Sequence, residues 1–148
     1  MKKICLTQGK YALIDDEDLE RVNNIKWHFD GRYAAHKNRV KIYLHRFIMN
    51  FPKNKIDHID MNRLNCQKNN LREATPQGNG ANRLSNRNNK SGVKGVYLMV
   101  DKPRTKPWTA QIKVNYKSIS LGVYSTKEEA GKAYREASLK HFGKFARA

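Results

Sequence analysis

Between Gly78 and Gly92 apolar residues nearly vanish, and Asn79, Asn82, Asn86, Asn88 and Asn89 are interleaved with Arg83, Arg87 and Lys90. Such a stretch has nothing to bury, so it cannot lie inside a core and it divides the chain in two. With 148 residues the chain has room for one ordinary domain or two small ones, which excludes a large layered enzyme core. The expected organisation is one domain over 1–83, a basic linker over 84–92 and a second domain over 93–148. The linker is expected to lie along a phosphate backbone, with a merely solvated connector as the alternative. A hydrophobic content of 39% supports folding, while a mean hydropathy of -0.85 keeps each core thin.

Thirty Lys and Arg face 13 Asp and Glu, a net charge of +17. The excess is spread evenly: residues 1–90 carry 18 basic and 9 acidic side chains, and residues 91–148 carry 12 and 4. Distributed cations of this kind suit nucleic acid, whose phosphates they neutralise. An anionic membrane surface is the competitor, but no run approaches the roughly 18 apolar residues of a spanning helix, and no apolar signal-peptide core follows Lys2 and Lys3. A cytoplasmic protein without a membrane partner is expected. Cys5 and Cys66 lack Cys-x-x-Cys spacing, which argues against a four-thiolate zinc site.

Asp15 and Asp16 ahead of Leu19, Val22 and Ile25 predict a short capped helix. Trp27–Phe29, Tyr33–Ala35 and Val40–Leu44 predict a small antiparallel sheet, and Leu44, Phe47 and Ile48 a short helix ending before Pro52. In the second half, Val93–Val100, Thr109–Val114 and Ser118–Tyr124 predict three strands turned at Lys102-Pro103 and Asn115-Tyr116. A helix follows, opened by the Thr126/Glu129 capping box, lined by Ala130, Ala133, Tyr134 and Ala137, and stopped at Gly143. The fold class is α+β.

The most informative stretch runs from Lys55-Ile56-Asp57-His58 through Asn69-Asn70-Leu71-Arg72 to Thr75-Pro76-Gln77-Gly78-Asn79 and Asn82-Arg83. Asp-His followed by Asn after twelve residues and a second Asn after nine more, in a basic protein, is a specific pattern. It resembles the HNH endonucleases of the phage and intron-encoded homing type, over roughly residues 44–89 and including Leu44-His45-Arg46. The resemblance implies a ββα-metal nuclease domain, a β-hairpin and helix clasping one divalent metal. Asp57 and Asn79 would supply hard oxygen ligands to Mg2+, with Mn2+ able to substitute and with water and phosphate completing the shell. His58, with a pKa near neutrality, would be the general base. Asn70 would fix the hairpin and orient the His58 imidazole by a hydrogen bond to its other nitrogen. His45 is open between packing beneath the site and touching phosphate, and Asp60 between a third ligand and a turn, with the turn favoured.

Residues 91–148 carry Ser91-Gly92-Val93-Lys94-Gly95-Val96, Trp108-Thr109-Ala110-Gln111-Ile112, Leu121-Gly122-Val123-Tyr124 and Glu128-Glu129-Ala130. They resemble the apetala-two/ERF DNA-binding domain, which implies a three-stranded antiparallel sheet packed on one helix, the sheet entering the major groove. By position Lys94, Tyr97, Gln111, Lys113, Ser118 and Ser120 would contact DNA, joined by Arg83, Arg87 and Lys90 of the basic stretch. Tyr97, Ser118 and Ser120 stand where plant members mostly carry Arg, Arg and Trp, so the plant target sequence does not transfer.

Together these readings predict a metal-dependent endonuclease nicking or cutting double-stranded DNA at a preferred site in a bacterial or phage-infected cell. It would act as a monomer or weak dimer with no obligate protein partner. A noncatalytic DNA-binding regulator on a nuclease scaffold is the alternative, and an RNA-binding protein a third. Deleting 91–148 is expected to weaken binding and leave basal cleavage.

Overall fold

A computed structural model describes residues 1–86, 88–100 and 105–147; Arg87 and the Lys102-Pro103 turn lie outside them. The architecture is α+β with small sheets, in two compact units, Met1–Thr75 and Pro76–Ala148. The sequence places the division later, near residue 83. The difference arises because the segment from Pro76 to Arg83 packs with elements of the second unit.

In the first unit, β1 (Lys2–Cys5) and β2 (Tyr11–Ile14) form an antiparallel hairpin. A 3-10 turn over Asp16–Asp18 leads into α1 (Leu19–Asn23). Asp15 does not cap it. Its carboxylate accepts bonds from the Lys68 amide at 2.7 Å and Gln67 Nε2 at 3.1 Å. The strands β3 (His28–Phe29), β4 (Ala34–Lys37) and β5 (Lys41–Tyr43) form the expected antiparallel sheet in sequence order. Then α2 (Leu44–Ile48) buries Leu44 and Ile48.

The strands β6 (Lys55–His58) and β7 (Leu71–Ala74) pair antiparallel, with Asp57 opposite Arg72 and His58 opposite Leu71. The intervening loop is docked on β2: the Leu13 amide donates to the Leu64 carbonyl and the Cys66 amide to the Leu13 carbonyl, both at 2.8 Å. That leaves Cys66 in the core beside Ile14, Val22 and Leu71, where burial pushes its thiol up to about 12.

In the second unit α3 (Pro76–Ala81) precedes a sheet of β8 (Val96–Leu98), β9 (Trp108–Val114) and β10 (Lys117–Tyr124), ordered β10-β9-β8. Asn115 and Tyr116 both have positive φ, 49° and 65°, as a two-residue hairpin turn matching the strand twist requires. The helix α4 (Lys127–Phe142) opens with the predicted capping box, and Ala130 and Tyr134 bury against Val96, Ala110 and Ile112. Trp108 packs against the same core. Gly95 has φ of +70°, and a Cβ there would meet the Tyr134 ring at 2.2 Å. No helix among the described residues is long and apolar enough to cross a membrane.

Candidate active site

Neighbouring residues on a strand point to opposite faces, so Asp57 and His58 can serve one site only where the strand ends. Here it does. The His58 carbonyl accepts the Met61 amide at 3.0 Å, turning the chain as β6 finishes. Both side chains are buried, at 5% and 6% exposure.

The cross-strand register puts Arg72 beside Asp57: Nε and Nη2 donate to Oδ2 at 2.9 and 2.7 Å. A guanidinium against a buried carboxylate offsets the cost of taking that charge out of water. Arg72 is the residue the sequence reading passed over. Its partner lies 15 residues away, and only the register of the hairpin reveals it.

His58 sits in an aromatic nest. Its ring is 5.1 Å from His45 in an edge-on arrangement and 6.1 Å from Tyr33, and the Arg63 guanidinium lies 5.6 Å over Tyr33. His45 in turn stacks on Tyr43 at 5.6 Å. Its ring therefore packs against that of His58, and its Nδ1 is buried with no hydrogen-bond partner among the described residues.

Burial pushes His45 down to about 3, with the neighbouring His58 and Arg46 charges adding to the effect. Burial likewise takes His58 to about 4 against the pull of Asp60 and Asp57, with Arg63 acting in the lowering direction. His58 does not have the near-neutral pKa expected of it, because a short run of sequence does not disclose burial. Burial thus keeps the imidazole neutral across the physiological range and lowers its affinity for a proton.

Asn70 is 7% exposed at the end of a 3-10 turn (Lys68–Asn70) and fixes the loop, though not through the His58 ring. Its Nδ2 donates to Asp60 Oδ1 at 2.9 Å and to the Asn65 carbonyl at 2.8 Å, and its Oδ1 accepts the Asp60 amide at 3.0 Å. All its side-chain bonds therefore clamp the Asp60–Asn65 turn. Asp60 is a turn residue: it also accepts from the Asn62 amide at 2.8 Å and from Asn65 Nδ2 at 2.8 Å.

Asn79 lies half-buried on α3, in the second unit. Among the described residues no group of three or more His, Cys, Asp or Glu is placed to hold a metal ion.

The outer face of the second sheet gathers five of the predicted contact residues. Gln111 pairs with Ser120 and Lys113 with Ser118 across β9 and β10, Tyr97 pairs with Thr109 across β8 and β9, and all five are exposed. Arg83 and Lys90 are exposed on the preceding segment. Lys94 is not on this face. Its ammonium donates to the carbonyls of Ala81 at 2.6 Å, Arg83 at 2.7 Å and Arg147 at 3.4 Å, so its donors are taken up within the protein.

The site thus combines a buried Asp-His pair at a strand end with an asparagine-clamped loop. An uncharacterized HNH endonuclease of Acanthamoeba polyphaga mimivirus is 31% identical over 147 residues, covering 94% of this chain and 74% of the relative. The chain belongs to the HNH endonuclease family. No family model matches it, and no solved structure does.

Proposed function

We propose that the protein is a divalent-metal-dependent endonuclease of the homing type that hydrolyses phosphodiester bonds of double-stranded DNA at a preferred site. The observation that carries this reading is the buried, neutral His58 beside Asp57 at the end of β6. His58 takes a proton from water as the water oxygen bonds to phosphorus, and the bond to the 3′ oxygen breaks. Asp57 and Asn79 would hold Mg2+, or Mn2+ in its place. When bound, the ion stabilises charge on the phosphorus oxygens and the departing oxygen. Asn70 acts one step removed, by holding the Asp60–Asn65 turn that follows the base.

The second unit is proposed to be an apetala-two/ERF-type domain whose outer sheet face meets the DNA through Tyr97, Gln111, Lys113, Ser118 and Ser120, with Arg83, Arg87 and Lys90 adding phosphate contacts. One lysine, one tyrosine and three smaller polar side chains favour modest sequence preference. A single site makes one nick per visit, so cutting both strands would need a dimer or a second binding event. A noncatalytic DNA-binding regulator is the second reading, favoured by one observation: the Arg72 guanidinium already holds one oxygen of the Asp57 carboxylate. Supercoiled plasmid separates the two. Relaxation with Mg2+ that EDTA abolishes is expected; binding without relaxation across several metals and DNA sources supports the regulator.

A further inference from the structure

We propose that Arg63 is a further catalytic residue, whose guanidinium donates hydrogen bonds to the scissile phosphate and meets the charge that grows on the phosphorus oxygens as water attacks. The inference rests on the reading of His58 as the base of a phosphodiester hydrolysis.

That hydrolysis adds negative charge to a group already anionic, so the site needs a cation free to meet it. Most cations around the Asp-His pair are engaged elsewhere. Arg72 is committed to Asp57 Oδ2, at 2.9 and 2.7 Å. Arg46, whose charge acts on His45, donates to the Pro52 carbonyl and, at 3.2 Å, to that of Asn54. Lys41 lies over the Tyr43 ring at 5.1 Å and is held by Asp30 Oδ2 at 2.5 Å.

Arg63 differs from all three. It is exposed, and among the described residues its guanidinium has no carboxylate or carbonyl partner. It rests 5.6 Å over the Tyr33 ring, which is itself 6.1 Å from the ring of His58. A guanidinium on an aromatic face keeps its N–H donors, which lie in its own plane, available to a phosphate. Its charge also reaches the base, acting on His58 in the direction opposite to Asp60 and Asp57.

The backbone that carries Arg63 is held on both sides. The Asn62 amide donates to Asp60 Oδ1 at 2.8 Å and the Leu64 amide to Asn62 Oδ1 at 3.1 Å, while the Leu64 carbonyl accepts the Leu13 amide at 2.8 Å. By clamping the Asp60–Asn65 turn, Asn70 therefore fixes Arg63 relative to the strand end that bears the base. A donor set in place beforehand is what stabilises developing charge without reorganisation.

The test uses the full chain. Arg63→Ala removes the guanidinium at an exposed position, Arg63→Lys keeps the charge without the planar fork, and far-UV circular dichroism checks the fold. Arg32→Ala is the control: Arg32 is also exposed and lies 5.7 Å from the same Tyr33 ring, yet the charges that act on His58 are those of Asp60, Asp57 and Arg63. Single-turnover plasmid cleavage is measured at saturating protein and Mg2+, and DNA affinity in EDTA at two salt concentrations. Arg63→Ala is expected to be about 10²-fold slower, the scale of losing one donor to a developing oxyanion. Arg63→Lys should fall between it and wild type, and Arg32→Ala should stay near the wild-type rate. The salt slope of Arg63→Ala should drop by no more than about 1, one phosphate contact.

A folded Arg63→Ala protein that cleaves at the wild-type rate overturns the proposal and leaves the nuclease reading standing. An equal loss in Arg32→Ala reduces the effect to general charge and also overturns it. So does weaker binding with an unchanged rate at saturation, which would make Arg63 a phosphate contact away from the reacting centre. If wild type itself leaves plasmid intact with Mg2+ and with Mn2+, the hydrolase reading has failed and the role of Arg63 with it.

Discussion

Acid should destabilise the first unit well before most of its carboxylates titrate. His45 and His58 are 8% and 6% exposed and titrate near 3 and near 4, against an ordinary value of 6.5. Both values are depressed, so protons bind the unfolded chain preferentially. Stability is therefore complete above about pH 6.5 and is lost as the pH falls toward the folded values. Between pH 7 and pH 5 each unfolded histidine takes up protons worth about 1.9 kcal/mol, while the folded ones take up almost none. The pair should cost about 3 to 4 kcal/mol, a large part of a total near 5 to 15. Urea unfolding followed by the fluorescence of the buried Trp27, in a Trp108→Phe background, measures this directly. His45→Phe preserves an aromatic ring and should remove about half of the pH dependence. A pH 5 stability within about 1 kcal/mol of that at pH 7 would refute the reasoning, and so would a His45→Phe protein with the full loss.

Other predictions concern single groups. Arg72→Met leaves the Asp57 carboxylate buried without its guanidinium and should cost about 3 to 5 kcal/mol in urea unfolding, most of it recovered when Asp57→Leu is added; a loss below about 1 kcal/mol contradicts the pairing. Gly95→Ala must hold φ near +70° with its Cβ 2.2 Å from the Tyr134 ring, so the second unit should lose about 2 to 5 kcal/mol by thermal melting. Since free His58 stays neutral to about 4, kcat/KM for plasmid cleavage should be flat above about pH 5, and a break near 6.5 would assign a different base.

Features with local causes were legible from sequence. The Thr126/Glu129 box closes within three residues, and the Asn115-Tyr116 turn needs only its own backbone angles. The hairpin was legible from the motif; the burial of its Asp-His pair was not. What escaped depends on distant partners. Arg72 meets Asp57 only through strand register, and Lys94 looks like a surface cation until Ala81, Arg83 and Arg147 converge on it. Asn70 was legible as the residue that fixes the hairpin, yet its amide bonds to Asp60 and Asn65, because the loop folds back beneath it. The low His58 pKa escaped for the same reason: burial is set by Tyr33 and His45, which arrive from other elements.

The central claim is that His58 is the base of a metal-assisted phosphodiester hydrolysis. Single-turnover cleavage of supercoiled plasmid with saturating protein and Mg2+, comparing wild type with His58→Ala, addresses it most directly. The expected result is cleavage by wild type and a loss of about 10²- to 10⁴-fold in His58→Ala, with DNA affinity retained. Equal cleavage by the two proteins would contradict the assignment.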